Sequence, residues 1–128
     1  MKFKTLLTIL SVIAFVTGLA CVLAPASMLS SYGVTLIPMG YVVYQFWGST
    51  LMGLGMLSWF ARSIEEPALQ KQFALSFLVT TALGTVMAIR GQYAGANAFG
   101  WSTVAFYFLL TLGFGYFLFI KLRYSSNT

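Results

Sequence analysis

Four long apolar runs separated by short polar breaks leave this chain few ways to fold. The first, residues 6–23, holds eighteen consecutive residues without a charge, close to the roughly 20 that an α-helix needs to cross a bilayer. Lipid offers no hydrogen-bond partners, so a segment placed there must satisfy its backbone internally, as a helix does. With 59% hydrophobic and only 7% charged residues, the chain lacks the solvated surface that a soluble domain requires. The expected fold is all-α: residues 1–128 form one membrane domain, an antiparallel up-down-up-down four-helix bundle with spans at about 5–24, 41–61, 69–89 and 100–121.

A net charge of +5 would point to nucleic acid in a soluble protein, but here nearly all the basic residues flank apolar runs, where they act as membrane anchors. Nucleic acid is therefore not an expected partner; the lipid bilayer is. Cys21 is the sole cysteine, which excludes an internal disulfide and a thiolate metal cluster. The absence of histidine removes the usual haem ligand, the commonest zinc ligand and the commonest general base. No metal site, no resident cofactor and no catalytic residue are expected, and the protein reads as a non-enzyme.

Along the chain, the run at 6–23 exceeds the roughly 7–15 residues of a signal-peptide core, so it is expected to stay as a span despite the small residues Ala24-Pro25-Ala26 behind it. Cys21 follows Gly18-Leu19-Ala20, a poor lipoprotein box, and reads as a buried apolar thiol. Residues 25–40 mix turn-forming Ser27, Ser30, Ser31, Gly33 and Pro38 with Met28, Leu29, Leu36 and Ile37. They are expected on the bilayer surface, with a short interfacial helix around 26–32 that Gly33 ends. The second span carries Tyr41, Tyr44 and Trp47 at one end and Trp59 and Phe60 at the other, an aromatic-belt pattern. Pro67 suits the first turn of the third helix, and Thr80, Thr81 and Thr85 can bond back to their own helix carbonyls. Gly18, Gly53, Gly84 and Gly115, with the spacing Ser49-x-x-x-Gly53 and nearby Gly55 on the second span and Gly84-x-x-x-Ala88 on the third, mark surfaces where helices can approach closely. Residues 90–100 read as a tight, partly buried turn, and the fourth span is apolar all round.

Four spans place both termini on the same side as the connection holding Arg62, Glu65, Glu66 and Lys71. Lys2, Lys4, Arg62, Lys71, Lys121 and Arg123 collect there, against Arg90 alone on the other side. By the positive-inside rule that side is the cytoplasm of a multi-pass inner-membrane protein. Proton-coupled export would need a carboxylate inside the membrane, and Glu65 and Glu66, the only acids, fall in the cytoplasmic connection.

Arg90, at the end of the third span, is expected to snorkel to lipid phosphate, aided by its place at a helix C-terminus. A sharper reading joins Arg90 and Gln92 to Gln45, with Tyr44 and Tyr93 lining the same place. A guanidinium, amides and phenols beneath an apolar bundle could hold a quinone ring or a bound lipid near the outer face.

Four motifs then suggest a likeness: Ser31-Tyr32-Gly33-Val34; Gly53-Leu54-Gly55 leading to Trp59 and Arg62; Asn97-Ala98-Phe99-Gly100-Trp101-Ser102-Thr103; and Leu112-Gly113-Phe114-Gly115-Tyr116-Phe117. In these the chain resembles small bacterial four-helix membrane proteins that are loosely similar to the DoxX-like superfamily. The resemblance implies a four-helix bundle and places no catalytic motif on this chain. Some DoxX-like proteins serve as membrane subunits of quinone-linked oxidoreductases or as assembly chaperones. The functional expectation is accordingly an accessory or assembly subunit of a larger respiratory or photosynthetic membrane complex, with other membrane subunits as partners. The alternative is a quinone- or lipid-binding component of a redox system.

Overall fold

A computed structural model describes residues 2–121 and 123, and among these every regular element is helical. Helix α1 spans Phe3–Leu23, α2 Pro25–Ser30, α3 Pro38–Ala61, α4 Pro67–Tyr93 and α5 Gly100–Tyr116, the last passing into a π-helical turn at Phe117–Lys121. Three of them are long and apolar enough to cross a membrane: α1, α4 and the continuous stretch Gly100–Lys121. Helix α3 has the length but is interrupted by Gln45, Ser49, Thr50 and several glycines, and lacks a continuous stretch as apolar as those of the other three.

Proline sets the helix starts. Pro25, Pro38 and Pro67 each occupy the first turn of a helix, where a missing N–H costs nothing and a fixed φ is already helical. Ala24 leaves helical geometry at φ −140° and so separates α1 from the surface helix α2. Gly33, at φ +72°, then reverses the chain, a conformation that side chains with a Cβ rarely adopt. The short helix expected around 26–32 is thus present as Pro25–Ser30, starting one residue earlier and ending two residues earlier. Helix α4 runs past Arg90 to Tyr93, so the turn expected at 90–100 contracts to 94–99. The polar tail at 124–128 lies outside the described residues.

Two antiparallel hairpins make up the bundle. In the first, α1 and α3 meet almost backbone to backbone. A Cβ on Gly18 would lie 2.5 Å from the Gly48 carbonyl oxygen, and one on Gly55 would lie 2.8 Å from the Phe15 nitrogen. In the second hairpin, Gly84 of α4 lies under the Tyr107 ring of α5, Phe77 stacks on Phe114 at 5.4 Å, and Thr85 meets Thr111 at 3.4 Å. The hairpins join chiefly at one end, where Phe3, Leu7, Ala61, Phe77, Phe114 and Phe117 form a buried cluster and Phe3 packs on Phe117 at 5.2 Å. Buried hydroxyls follow the expected pattern: Thr81 donates to the Phe77 carbonyl at 2.8 Å and Ser58 to the Leu54 carbonyl at 2.7 Å.

The expected packing glycines divide. Gly18 and Gly84 sit at close approaches, whereas Gly53 faces open space and a Cβ on Gly115 would meet only Leu78 at an ordinary 3.9 Å. The face of α3 against α1 is built on the expected Gly55 and on Gly48, seven residues and about two helical turns apart. Gly53 is turned well away from that stripe. Gly18→Ala and Gly55→Ala are each expected to destabilise the protein by about 1–3 kcal/mol, because the new methyl meets backbone that cannot yield. Gly53→Ala is expected to leave thermal unfolding in detergent unchanged or move it slightly upward.

Candidate ligand-binding cleft

Between the two hairpins, starting at the edge of the buried cluster, the packing opens into two adjoining cavities. The inner one, ≈ 220 Å³, lies among Leu10, Ala14, Phe77, Thr81, Phe106 and Tyr107. The outer one, ≈ 580 Å³, is roofed by Met28 and Leu29 of α2 and walled by Tyr44, Gly91 and Ala96. Thr17, Tyr32, Trp47 and Thr103 border both. The volume of the outer cavity falls in the range of small-molecule sites.

The cleft is neutral and hydroxyl-bearing. Tyr32 and Thr103 share a hydrogen bond of 2.7 Å between their hydroxyls, joining the loop after α2 to α5. The Cys21 thiol donates to the Tyr44 hydroxyl at 3.2 Å, and Tyr44 packs against Trp47 at 5.4 Å. Thr80, Thr81 and Ser102 donate to carbonyls of their own helix turns. Tyr107 is different: its phenol has no hydrogen-bond partner among the described residues and borders the inner cavity. A phenol is a donor as well as an acceptor, and with the Thr17 and Thr35 hydroxyls and the Trp47 indole N–H, which also lack a hydrogen-bond partner among the described residues, it is one of several uncommitted donors around the cleft. No Lys, Arg, Asp or Glu is among the residues lining either cavity.

A second fastening closes the outer end. The Asn97 backbone N–H donates to the Tyr32 carbonyl at 3.0 Å, and its side-chain amide donates to the Ser31 carbonyl at 3.0 Å. Asn97 Oδ1 in turn accepts from the Phe99 N–H at 3.1 Å, and Phe99 meets the Tyr32 ring edge-on at 5.2 Å. Asn97 thereby ties the α2–α3 loop to the α4–α5 turn across the mouth of the cleft.

The five residues singled out from sequence do not converge. Tyr44 lines the outer cavity. Gln45 turns to α1 and donates to the Val22 carbonyl at 2.9 Å, near the free end of that helix. Gln92 bridges its own turn, donating to the Asn97 carbonyl at 3.2 Å. Arg90 is exposed and has no side-chain partner among the described residues, and Tyr93 is 88% exposed. The helical rotation of about 100° per residue explains this, since Gly91 faces the outer cavity and Arg90 therefore faces away. Trp47, Thr103 and Tyr107 escaped the sequence reading because aromatic and hydroxyl residues near span ends are common, and nothing in their spacing marks the ones that face inward.

No protein-family model matches the chain, and neither a curated relative nor a solved structure is significantly similar to it. The DoxX-like likeness rests on the short motifs that suggested it and transfers no site residue.

Asn97→Ala removes both side-chain hydrogen bonds of the fastening and is expected to cost about 1–2 kcal/mol. Hydrogen–deuterium exchange should then accelerate in residues 29–34 and 95–99, while exchange in the Phe77–Phe114 region stays as in the parent protein.

Proposed function

We propose that this chain is a non-enzymatic, multi-pass protein of the bacterial inner membrane that holds a neutral quinone-like or lipid molecule in the cleft between its hairpins. All four long helices cross the bilayer in this reading, with both termini in the cytoplasm. Helix α3 is included because its 24 residues, at 1.5 Å each, reach about 36 Å against a hydrocarbon core of about 30 Å. Its close backbone contact with α1 also supports that placement, as does the use of its Gln45 amide on an α1 carbonyl. The basic residues at the end where Phe3 meets Ala61 and Phe117 support a cytoplasmic assignment for that end.

The observation that carries the ligand reading is the uncommitted Tyr107 phenol beside an apolar cleft without charges. A carbonyl oxygen of a quinone ring could accept from it while the rings of Trp47, Phe77 and Phe106 cover the faces. A phosphate or carboxylate would find no cation there. Membership of a larger respiratory or photosynthetic assembly is compatible with the same site. Trp101, Phe108 and Phe119 on the fourth span stand 52%, 51% and 66% exposed, an aromatic face that a neighbouring subunit or lipid would cover.

Two outcomes test this. With Cys21→Ser as background, a cysteine placed by Glu66→Cys should react with an impermeant maleimide only in inverted vesicles, and one placed by Gly95→Cys only in right-side-out vesicles. The opposite pattern would reverse the orientation. In nanodiscs, a short-chain quinone should quench Trp47 fluorescence, measured with Trp59→Phe and Trp101→Phe, and Tyr107→Phe should weaken binding about fivefold, as expected for one neutral hydrogen bond. Equal quenching with and without the Tyr107 hydroxyl would overturn the assigned contact.

A further inference from the structure

On the opposite side of the first hairpin, α1 and α3 frame a separate groove of ≈ 330 Å³ whose lining is almost wholly apolar. Val12, Phe15 and Val16 of α1 face Met56, Trp59 and Phe60 of α3 across it. Its floor is Gly55, where the two backbones come closest. The groove leads towards the end of the hairpin at which Phe3 and Ala61 meet, and there its chemistry changes. The Arg62 guanidinium lies 3.4 Å from the centre of the Trp59 ring, so a cation is fixed over a residue that also forms the groove wall. It has no ion-pair partner among the described residues, although Glu65 and Glu66 follow closely in the chain. Lys4, exposed in the first turn of α1, lies seven and eight residues before Ser11 and Val12, on the stripe that continues the groove along that helix.

We propose that this groove seats one acyl chain of an anionic phospholipid, with the headgroup phosphate held by Arg62 and Lys4. The occupant follows from the distribution of polarity. An apolar channel with no hydrogen-bonding wall suits hydrocarbon, and cations gathered at one end suit an anion attached to that hydrocarbon. A guanidinium matches phosphate with paired donors, and stacking on Trp59 fixes its plane before the lipid arrives. A second apolar helix would fill the channel but bring no anion to the pair of cations. This site is independent of the cleft between the hairpins and stands whether or not that cleft binds a quinone.

The test uses the full chain, purified and examined by native mass spectrometry with phosphatidylglycerol and phosphatidylcholine of identical acyl chains. One phosphatidylglycerol per chain should be retained, preferred over phosphatidylcholine by about tenfold, the scale expected of two basic residues beside an anionic lipid. Arg62→Gln with Lys4→Gln should bring the preference down to parity, while Lys71→Gln, which removes a cation from the same end but away from the groove, should leave it intact. Met56→Trp, which fills the channel, should abolish retention of both lipids. Equal retention of the two lipids by the parent protein would overturn the proposal. So would loss of preference in Lys71→Gln to the same degree as in the double variant, or a dimer cross-linked through Val16→Cys, which would assign the groove to a second copy.

Discussion

The contact between α1 and α3 depends on side chains that are missing. At Gly18, Gly48 and Gly55 the backbones approach so closely that an added methyl would collide with main-chain atoms or with the Cys21 side chain, and in such a contact packing and short-range attraction replace the water-driven force available to soluble helices. The first hairpin therefore behaves as a rigid plate. The second is fastened differently, by the Phe77–Phe114 stack and by Tyr107 over Gly84. Because the plates share a tight cluster at one end only, they separate towards the other, and the cleft is the space that separation leaves.

Polar groups inside this bundle are spent almost entirely on the backbone. Thr81, Thr85, Ser58 and Thr111 bond to carbonyls one turn earlier, and Gln45 bonds across to α1. Each buried hydroxyl or amide so occupied is removed from ligand chemistry. What remains for the cleft is the Tyr32–Thr103 pair, the Tyr44–Cys21 pair, the Tyr107 phenol, the Thr17 and Thr35 hydroxyls and the Trp47 indole N–H. Its neutrality follows directly from the chain's composition, since all nine ionisable Lys, Arg, Asp and Glu residues stand near helix ends.

Much of the helical order was legible in sequence because turn chemistry is local. Pro67 marked the start of α4, Gly33 the end of the surface segment, and the threonines their own carbonyls. Which way each helix faces was not legible. A soluble helix advertises its buried side by an apolar stripe, but α4 and α5 carry no one-sided apolar stripe, so the sequence could not show that Gly91, and not Arg90 about 100° round the helix, faces the cleft. The same ambiguity put Gly53 beside Gly55 on the packing face and left out Gly48. Small residues recur along α3, and only the partner helix selects the two that matter. The candidate pocket around Arg90 inherited that uncertainty, and the cleft-lining Trp47 and Tyr107 carried no distinguishing signal.

Helix α3 differs from its neighbours in a way that bears on how the chain is made. Gln45, Ser49, Thr50 and the glycines that allow its contact with α1 also leave it without the long apolar stretch that each of the other three long helices contains, and a segment of this kind partitions weakly from a translocation channel into lipid by itself. Its amide partner and its packing surface both belong to α1, which is synthesised first and is strongly apolar. In the four-span reading proposed above, integration of α3 requires α1 to remain beside the channel until the fourteen residues between them, 24–37, and then α3 itself have emerged. In that reading, the glycines that bring the two backbones together also make the second half of the hairpin a dependent passenger during biogenesis.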